Sequence, residues 1–321
     1  MRVLIGFDGS EHSDAAIEDL KHAGLPQDCT VLIATVADLL MSSPELSKVI
    51  KQTITPRRVA AGLDKAQSHA ERITKEALEN SRRAKTRVKK MFPGWDVSAE
   101  VMIGTPGWVL VDVANKWNAD LVVVGSQGHS ALKSLFLGSV SKRVVADSRC
   151  SVRVVKVSDR ADANDSFRIL VGVDGSPASE QAIHEIGQRV WPDGTEVRLV
   201  WVDDNTPTTQ VVTRLPQATA LINSYYRKSR SRVAAMLRWA TRELSAIGLK
   251  TSVAKKAGSA KSVLVDEARE WNADSIFVGT RDFSSSFERF RLGSVSSSVV
   301  TNAGCTVEIV RPSANAALGH Q

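Results

Sequence analysis

The run Val122-Val123-Val124-Gly125-Ser126-Gln127-Gly128-His129-Ser130-Ala131-Leu132-Lys133-Ser134-Leu135-Phe136-Leu137-Gly138-Ser139-Val140 decides how this chain is read. A β-branched apolar stretch stopping at Gly125 predicts a buried strand. The small residues after it predict a loop, and Gly138-Ser139 predicts the start of an amphipathic helix over Val140 to Val145. Glycine lets a ligand approach the backbone closely, and the first N–H groups of a helix lack intrahelical partners. Together with the positive end of the helix dipole, this layout suits an anion such as a phosphate. Gly125, Gly128 and Gly138 could equally serve tight turns, so the rest of the chain has to decide.

The chain has 321 residues, enough for about two domains with a core each. Its 43% hydrophobic and 24% charged residues are those of a globular protein, and 5% aromatic content disfavours a stacking platform for single-stranded nucleic acid. No apolar run reaches the ~20 residues of a membrane span, and Met1-Arg2-Val3-Leu4-Ile5-Gly6-Phe7-Asp8 turns polar too early for a signal peptide. A cytoplasmic protein is expected. Cys29, Cys150 and Cys305 lack metal-ligand or CxxC spacing and read as small core hydrophobes. The net charge of +7 is scattered through helical patterns. Its densest cluster, Arg82, Arg83, Lys85, Arg87, Lys89 and Lys90, reads as a solvated helix face, which makes nucleic acid a disfavoured partner.

The chain is written twice. Arg2-Val3-Leu4-Ile5-Gly6-Phe7-Asp8-Gly9-Ser10 returns as Arg168-Ile169-Leu170-Val171-Gly172-Val173-Asp174-Gly175-Ser176, and Trp117-Asn118-Ala119-Asp120 returns as Trp271-Asn272-Ala273-Asp274. Leu137-Gly138-Ser139-Val140-Ser141 matches Leu292-Gly293-Ser294-Val295-Ser296, and Cys150 before Val152-Arg153-Val154-Val155 matches Cys305 before Val307-Glu308-Ile309-Val310. Repeats of this length are domains. The expected division is domain 1 over 1–158, a polar linker over 159–166, domain 2 over 167–312 and a loose tail over 313–321.

Within domain 1, strands are expected at residues 2–7, 30–36, 97–103, 121–125 and 152–157, the third with alternation weak enough for a sheet edge. Helices alternate with them. One is a long helix from Pro56 to Met91 with a stripe of Leu63, Ala66, Ala70, Ile73, Ala77 and Leu78; another starts at Thr105-Pro106, a capping hydroxyl before an N1 proline. The fold class is therefore α/β, two repeated doubly wound five-stranded parallel-sheet domains of Rossmann-like type. Such sheets bind ligands beyond the carboxyl ends of their strands. Asp8-Gly9-Ser10 after strand one and the glycine loop after strand four would share one crevice if those strands are neighbours. Asp8 would then accept hydrogen bonds from a ribose or base, or else serve as a turn carboxylate.

These residues resemble the universal stress protein family in its tandem form. The resemblance covers residues 2–157 and 168–311 and rests on Gly-x2-Gly-x9-Gly-Ser, present as Gly125, Gly128, Gly138 and Ser139, with the strand-one aspartate in Asp-Gly-Ser. It implies a strand order 3-2-1-4-5, with strand five pairing across a dimer or pseudodimer axis. Pairing is then expected between the two domains of this chain, and a homodimer of chains is compatible with it. Members with the complete motif look like ATP binders, so the resemblance implies ATP, with or without Mg2+, as cofactor. On matching positions, Asp8 and Val36 would face the adenine and ribose, and Gly125, Gln127, Gly128, Gly138, Ser139 and Val140 would surround ribose and phosphates.

The second copy departs from this pattern. Gly279-Thr280-Arg281-Asp282 places aspartate where Gly128 stands, and the distance to Gly293-Ser294 is one residue longer. A carboxylate there opposes phosphate unless Arg281, Arg289 or Arg291 compensates. Asp174, Val202, Gly279, Arg281, Gly293, Ser294 and Val295 form the weaker candidate site. The leading expectation is an ATP-binding stress-response sensor or signalling module. A nucleotide-independent interaction protein and a slow ATPase are the alternatives. The P-loop Gly-Lys-Ser/Thr ending and the G-x-G-x-x-G run are missing, and the six histidines offer no ordered catalytic pair. His129 in the loop reads as a phosphate-side contact or a solvent residue, not a base.

Overall fold

The computed structural model describes residues 1–38, 56–128, 137–157, 166–203, 216–280 and 292–311, with backbone alone over 56–66 and 216–226. Residues 159–165 of the linker, the tail, His129, Arg281, Asp282, Arg289 and Arg291 lie outside the described residues, as do the side chains of Leu63 and Ala66. Domain 1 runs β1 (Arg2–Gly6), α1 (Glu11–Asp19), β2 (Thr30–Ala37), α2 (Pro56–Met91), β3 (Asp96–Ile103), α3 (Pro106–Lys116), β4 (Leu121–Gly125), α4 (Ser139–Asp147) and β5 (Ser151–Val155). Domain 2 repeats it as β6 (Arg168–Gly172), α5 (Pro177–Gly187), β7 (Glu196–Asp203), α6 (Pro216–Ala246), β8 (Lys250–Ala257), α7 (Ala260–Glu270), β9 (Ser275–Gly279), α8 (Ser294–Asn302) and β10 (Thr306–Val310).

Alternating strands and helices give parallel pairing within each domain, β1 lying between β2 and β4. The halves join into one ten-stranded sheet in the order β3-β2-β1-β4-β5-β10-β9-β6-β7-β8, so each follows 3-2-1-4-5. No helix among the described residues is long and apolar enough to cross a membrane.

The repeated Trp-Asn-Ala-Asp quartet has a local explanation. Asn118 and Asn272 have φ of 50° and 51°, left-handed values that asparagine tolerates, and each ends a helix. Ala119 N–H returns to Ala114 O at 2.9 Å and Asn118 N–H to Asn115 O at 3.4 Å, which closes α3. Asp120 then accepts from Arg2 N–H at 2.7 Å, and Asp274 from Arg168 N–H at 2.7 Å, so each quartet sets the start of its central strand.

The core follows the two faces of the sheet. On one face, a single apolar cluster runs unbroken from Leu110 and Val144 through Val152 and Ile309 to Leu264 and Val299. On the other, α1 with α2 and α5 with α6 cover two separate clusters around Ile17 and Ile183. The buried line of α2 is Ala77, Ser81, Ala84 and Val88, whereas Leu78 is exposed, which corrects the expected stripe. Leu78 stands about 100° round the helix from Ala77, on the side turned away from the buried line. Thr105 occupies the N-cap of α3 without a side-chain capping bond, and Pro106 starts the helix as expected. Of the basic cluster, Arg87 leaves the solvated face and bridges to Asp14 and Glu18 of α1, both at 2.7 Å. Cys29 and Cys150 are buried and Cys305 is half-buried; burial pushes these thiols up to about 11, 11 and 12.

β5 and β10 pair antiparallel, with Arg153 opposite Glu308 at the centre. Both side chains are fully buried. Arg153 donates to Glu308 at 3.0 Å and to both oxygens of Asp19 at 2.5 and 3.2 Å. Glu308 also takes both Nη atoms of Arg189. Burial alone opposes the charged forms, lowering the Arg153 pKa and raising that of Glu308. The Asp19 and Glu308 carboxylates push the Arg153 pKa up, and the Arg189 and Arg153 guanidiniums hold Glu308 below the usual carboxylate range.

Candidate functional site

β1 and β4 pair in parallel and end side by side, the place where a doubly wound sheet leaves a crevice. Beyond β1, Asp8 Oδ1 accepts from Ser10 N–H at 3.0 Å and Ser10 Oγ at 2.6 Å, while Ser10 Oγ caps α1 through Ser13 N–H. From α2, Asn80 donates to Asp8 O at 3.3 Å, and the Arg83 guanidinium lies 5.5 Å from the Phe7 ring centre. The turn is therefore held from both sides. Asp8 Oδ2 faces the glycine loop: a Cβ placed on Gly128 would lie 2.8 Å from it. Asp8 and Gly128, 120 positions apart, are neighbours.

Gly125 has another duty. A Cβ there would come within 2.7 Å of the backbone of His12, so its lack of a side chain lets α1 pack over the end of β4. Ser126 N–H bonds Val155 O at 2.7 Å, and Ser126 O accepts Gly138 N–H at 2.8 Å, which brings the two ends of the loop together. Gly138 is the extended N-cap of α4, and Ser141 Oγ in its first turn donates to Gly125 O at 2.6 Å. Ser139 is exposed at this helix start, and Gln127 and Val140 beside it are half-buried. Val36 lies one strand away near the end of β2, half-buried and paired in register with Met102.

Asp8, Gln127, Gly128, Gly138, Ser139 and Val140 thus lie together beyond the carboxyl ends of β1 and β4, whereas Gly125 is buried beneath the loop against His12 and Val36 stands one strand away on β2. The free N–H groups of α4 and the aspartate opposite suit a molecule with hydrogen-bond donors at one end and negative charge at the other. Three contributors escaped sequence reasoning. His12 Nδ1 stands 3.4 Å from the buried Ser126 Oγ, beneath the loop, and Asn80 and Arg83 reach across from α2. Only the difference between copies could have flagged His12, since domain 2 has Ala178 at that place.

Domain 2 keeps the frame with altered detail. Asp174 Oδ1 accepts Ser176 N–H at 2.9 Å, and a Cβ on Gly279 would lie 2.2 Å from Ala178 O, so the same helix crossing demands glycine. Ser296 Oγ donates to Gly279 O at 3.1 Å, the counterpart of Ser141. Val202 and Val295 are half-buried, and Gly293 caps α8 with Ser294 its first residue. Among the described residues, the nearest atom to a Cβ on Gly293 is Ser296 Oγ at 3.9 Å, against Ser126 O at 3.3 Å for Gly138. Among the described residues no bond from Gly293 N–H to Thr280 O repeats the loop closure of domain 1.

A sequence profile of the Universal stress protein family matches residues 1–156 and again 166–311. A universal stress protein of Mycolicibacterium smegmatis is 26% identical over 316 residues, covering 97% of each chain. Universal stress protein MJ0531 of Methanocaldococcus jannaschii is 32% identical over 157 residues, 48% of this chain and 81% of the relative. Among solved structures, a universal stress protein from Archaeoglobus fulgidus shares the fold at a TM-score of 0.60 and 19% identity, covering 98% of this chain and 97% of its own. With both halves matched, and with the halves built alike and joined edge to edge, the chain belongs to the universal stress protein family as a tandem of two of its domains.

Proposed function

We propose that domain 1 binds an adenine nucleotide, ATP, and that the chain works as a cytoplasmic stress-response sensor or signalling module. The observation that carries this reading is the placement of Asp8 Oδ2 against Gly128, opposite the start of α4 at Gly138 and Ser139. The aspartate accepts from ribose or base, the glycines give the backbone access to the ligand, and the helix N-terminus takes the phosphates. Magnesium enters only with the triphosphate, since it is usually held by phosphates and one or two carboxylates. Isothermal titration of nucleotide-free protein with ATP should show one site per chain; no heat at millimolar ATP would overturn the reading. A second site would extend it to Asp174, Val202, Gly279, Arg281, Gly293, Ser294 and Val295.

The buried ion network between the halves favours a second reading, an interaction protein whose fold needs no nucleotide. Thermal unfolding separates the two. ATP at about a hundredfold excess over Kd should add about 2.7 kcal/mol of stability if it binds the native state, and an unchanged transition supports the second reading. A slow ATPase would show as turnover that Ser139→Ala reduces, with Ser139 touching the phosphates; equal turnover in both proteins would take Ser139 out of the hydrolysis, and absent turnover leaves a binder.

A further inference from the structure

We propose that Arg311 of domain 2 is a positioning residue for the phosphate seat of domain 1, acting through α4, and that this is what the diverged second copy contributes to the first site. The inference rests on the nucleotide reading above. α4 has nine residues, a rod about 14 Å long. Its N-terminal end presents Gly138, Ser139 and Val140 to the crevice. Its last carbonyls have no intrahelical donor and face the domain boundary.

A cation from the other domain fills that gap. Arg311 follows β10 directly and is 4% exposed. It donates through one Nη to Val145 O in the last turn of α4, and through the other to Cys150 O at 3.2 Å. Its own N–H bonds Ser151 Oγ at the start of β5, at 3.1 Å, which fixes the root of the side chain as well as its tip. Burial pulls its pKa down to about 10, and the guanidinium stays charged at neutral pH. A cation at this end complements the helix dipole whose positive end faces the crevice.

The arrangement is reciprocal. Lys156, directly after β5, reaches into domain 2 and donates to Thr301 O at 3.2 Å and to Ala303 O at the end of α8. Each domain therefore caps the loop helix of the other, but only α4 leads to the intact glycine motif. Towards α3 the helix is closely packed, since a Cβ on Gly107 would lie 2.8 Å from Arg143 Cβ and 3.5 Å from Val140 Cα. Its position along its own axis is then set by two anchors: Ser141 on Gly125 O at the crevice end and Arg311 at the far end. Loss of the far anchor lets the N–H groups drift from the distance at which they bind phosphate, and hydrogen bonds weaken steeply with misplacement.

Lys156 supplies the control, because it makes the same kind of bond across the same boundary to the other helix. In the full chain, Arg311→Met should weaken ATP binding by about five- to tenfold, the worth of roughly one hydrogen bond. Arg311→Lys should recover most of it. Lys156→Met should lower thermal stability comparably while leaving ATP affinity within about twofold of wild type. Amide exchange at Lys142, whose N–H closes the first turn of α4 on Gly138 O at 2.9 Å, should quicken without ligand in Arg311→Met and not in Lys156→Met. Wild-type affinity in Arg311→Met, or equal weakening by both Met variants, would overturn the inference while the nucleotide reading stands. If Arg311→Met does not fold, unchanged ATP affinity and exchange in Arg311→Ala and Arg311→Gln would overturn it instead. A wild-type chain that binds no ATP refutes the nucleotide reading itself, and the exchange comparison then decides whether Arg311 positions α4.

Discussion

Replacing Glu308 by leucine is expected to destabilise the chain by about 3–5 kcal/mol, the usual cost of removing one partner from a buried ion network. Glu308 is fully buried and answers two guanidiniums at once. Without it, Arg153 keeps Asp19, and Arg189 keeps Ala23 O and a long contact of 3.9 Å to Glu185, which leaves its buried charge without a close carboxylate. Equilibrium urea unfolding at neutral pH reads the effect as a lower midpoint.

The pH dependence has a definite sign. Arg189 and Arg153 hold the folded Glu308 pKa below its unfolded value of about 4.3, so its stabilisation is present above that pH and is lost as pH falls through the folded value. Wild type should therefore lose stability on acidification below about pH 4 more steeply than Glu308→Leu does. Parallel acid limbs in the two proteins would show that the carboxylate is not held ionised by the arginines.

Gly128→Asp is expected to lower ATP affinity by about a hundredfold or more, as judged by titration calorimetry. The new Cβ would lie 2.8 Å from Asp8 Oδ2, and the new carboxylate would sit beside an existing one. Two like charges about 4 Å apart repel by about 4 kcal/mol in partly solvated surroundings, and a phosphate arriving at the same loop adds a third. Gly128→Ala separates shape from charge, with an expected loss of about tenfold, because the end of one side chain has to give and no charge is added. Equal affinity in wild type and Gly128→Asp would remove the loop from the binding site. Domain 2 already carries an aspartate at the matching place, Asp282, so the substitution makes the first loop resemble the second.

Much of this was legible along the chain. The repeated strand-one and glycine-loop segments announced two α/β domains, and the alternation of apolar strands and amphipathic helices implied parallel sheets, which form here in the order 3-2-1-4-5. The weak alternation of residues 97–103 marked an edge strand, and β3 lies at the edge. Asp8 and the glycine loop could be expected to meet once their strands were taken as neighbours. Legibility failed where a residue's meaning depends on what crosses over it. Gly125 reads as ligand access in the sequence, but here it admits the backbone of His12. Leu78 reads as core and is exposed, because the face of α2 is chosen by its packing on the sheet.

By itself, the sequence determined the fold class, the duplication and the family, because these rest on periodicity and on spacings that are local along the chain. The tertiary structure alone decided how the halves depend on each other. Arg153 and Glu308 occupy matching places in the two strand-five segments, and nothing local distinguishes a surface arginine from a buried one. Their meaning appears only when β5 and β10 lie antiparallel and set one charge against the other. The same holds for Lys156 and Arg311, which look like strand-ending cations until each is seen to close a helix of the other domain. Charge complementarity across a fold joins residues about 150 positions apart, and only the packed chain brings them within hydrogen-bonding distance.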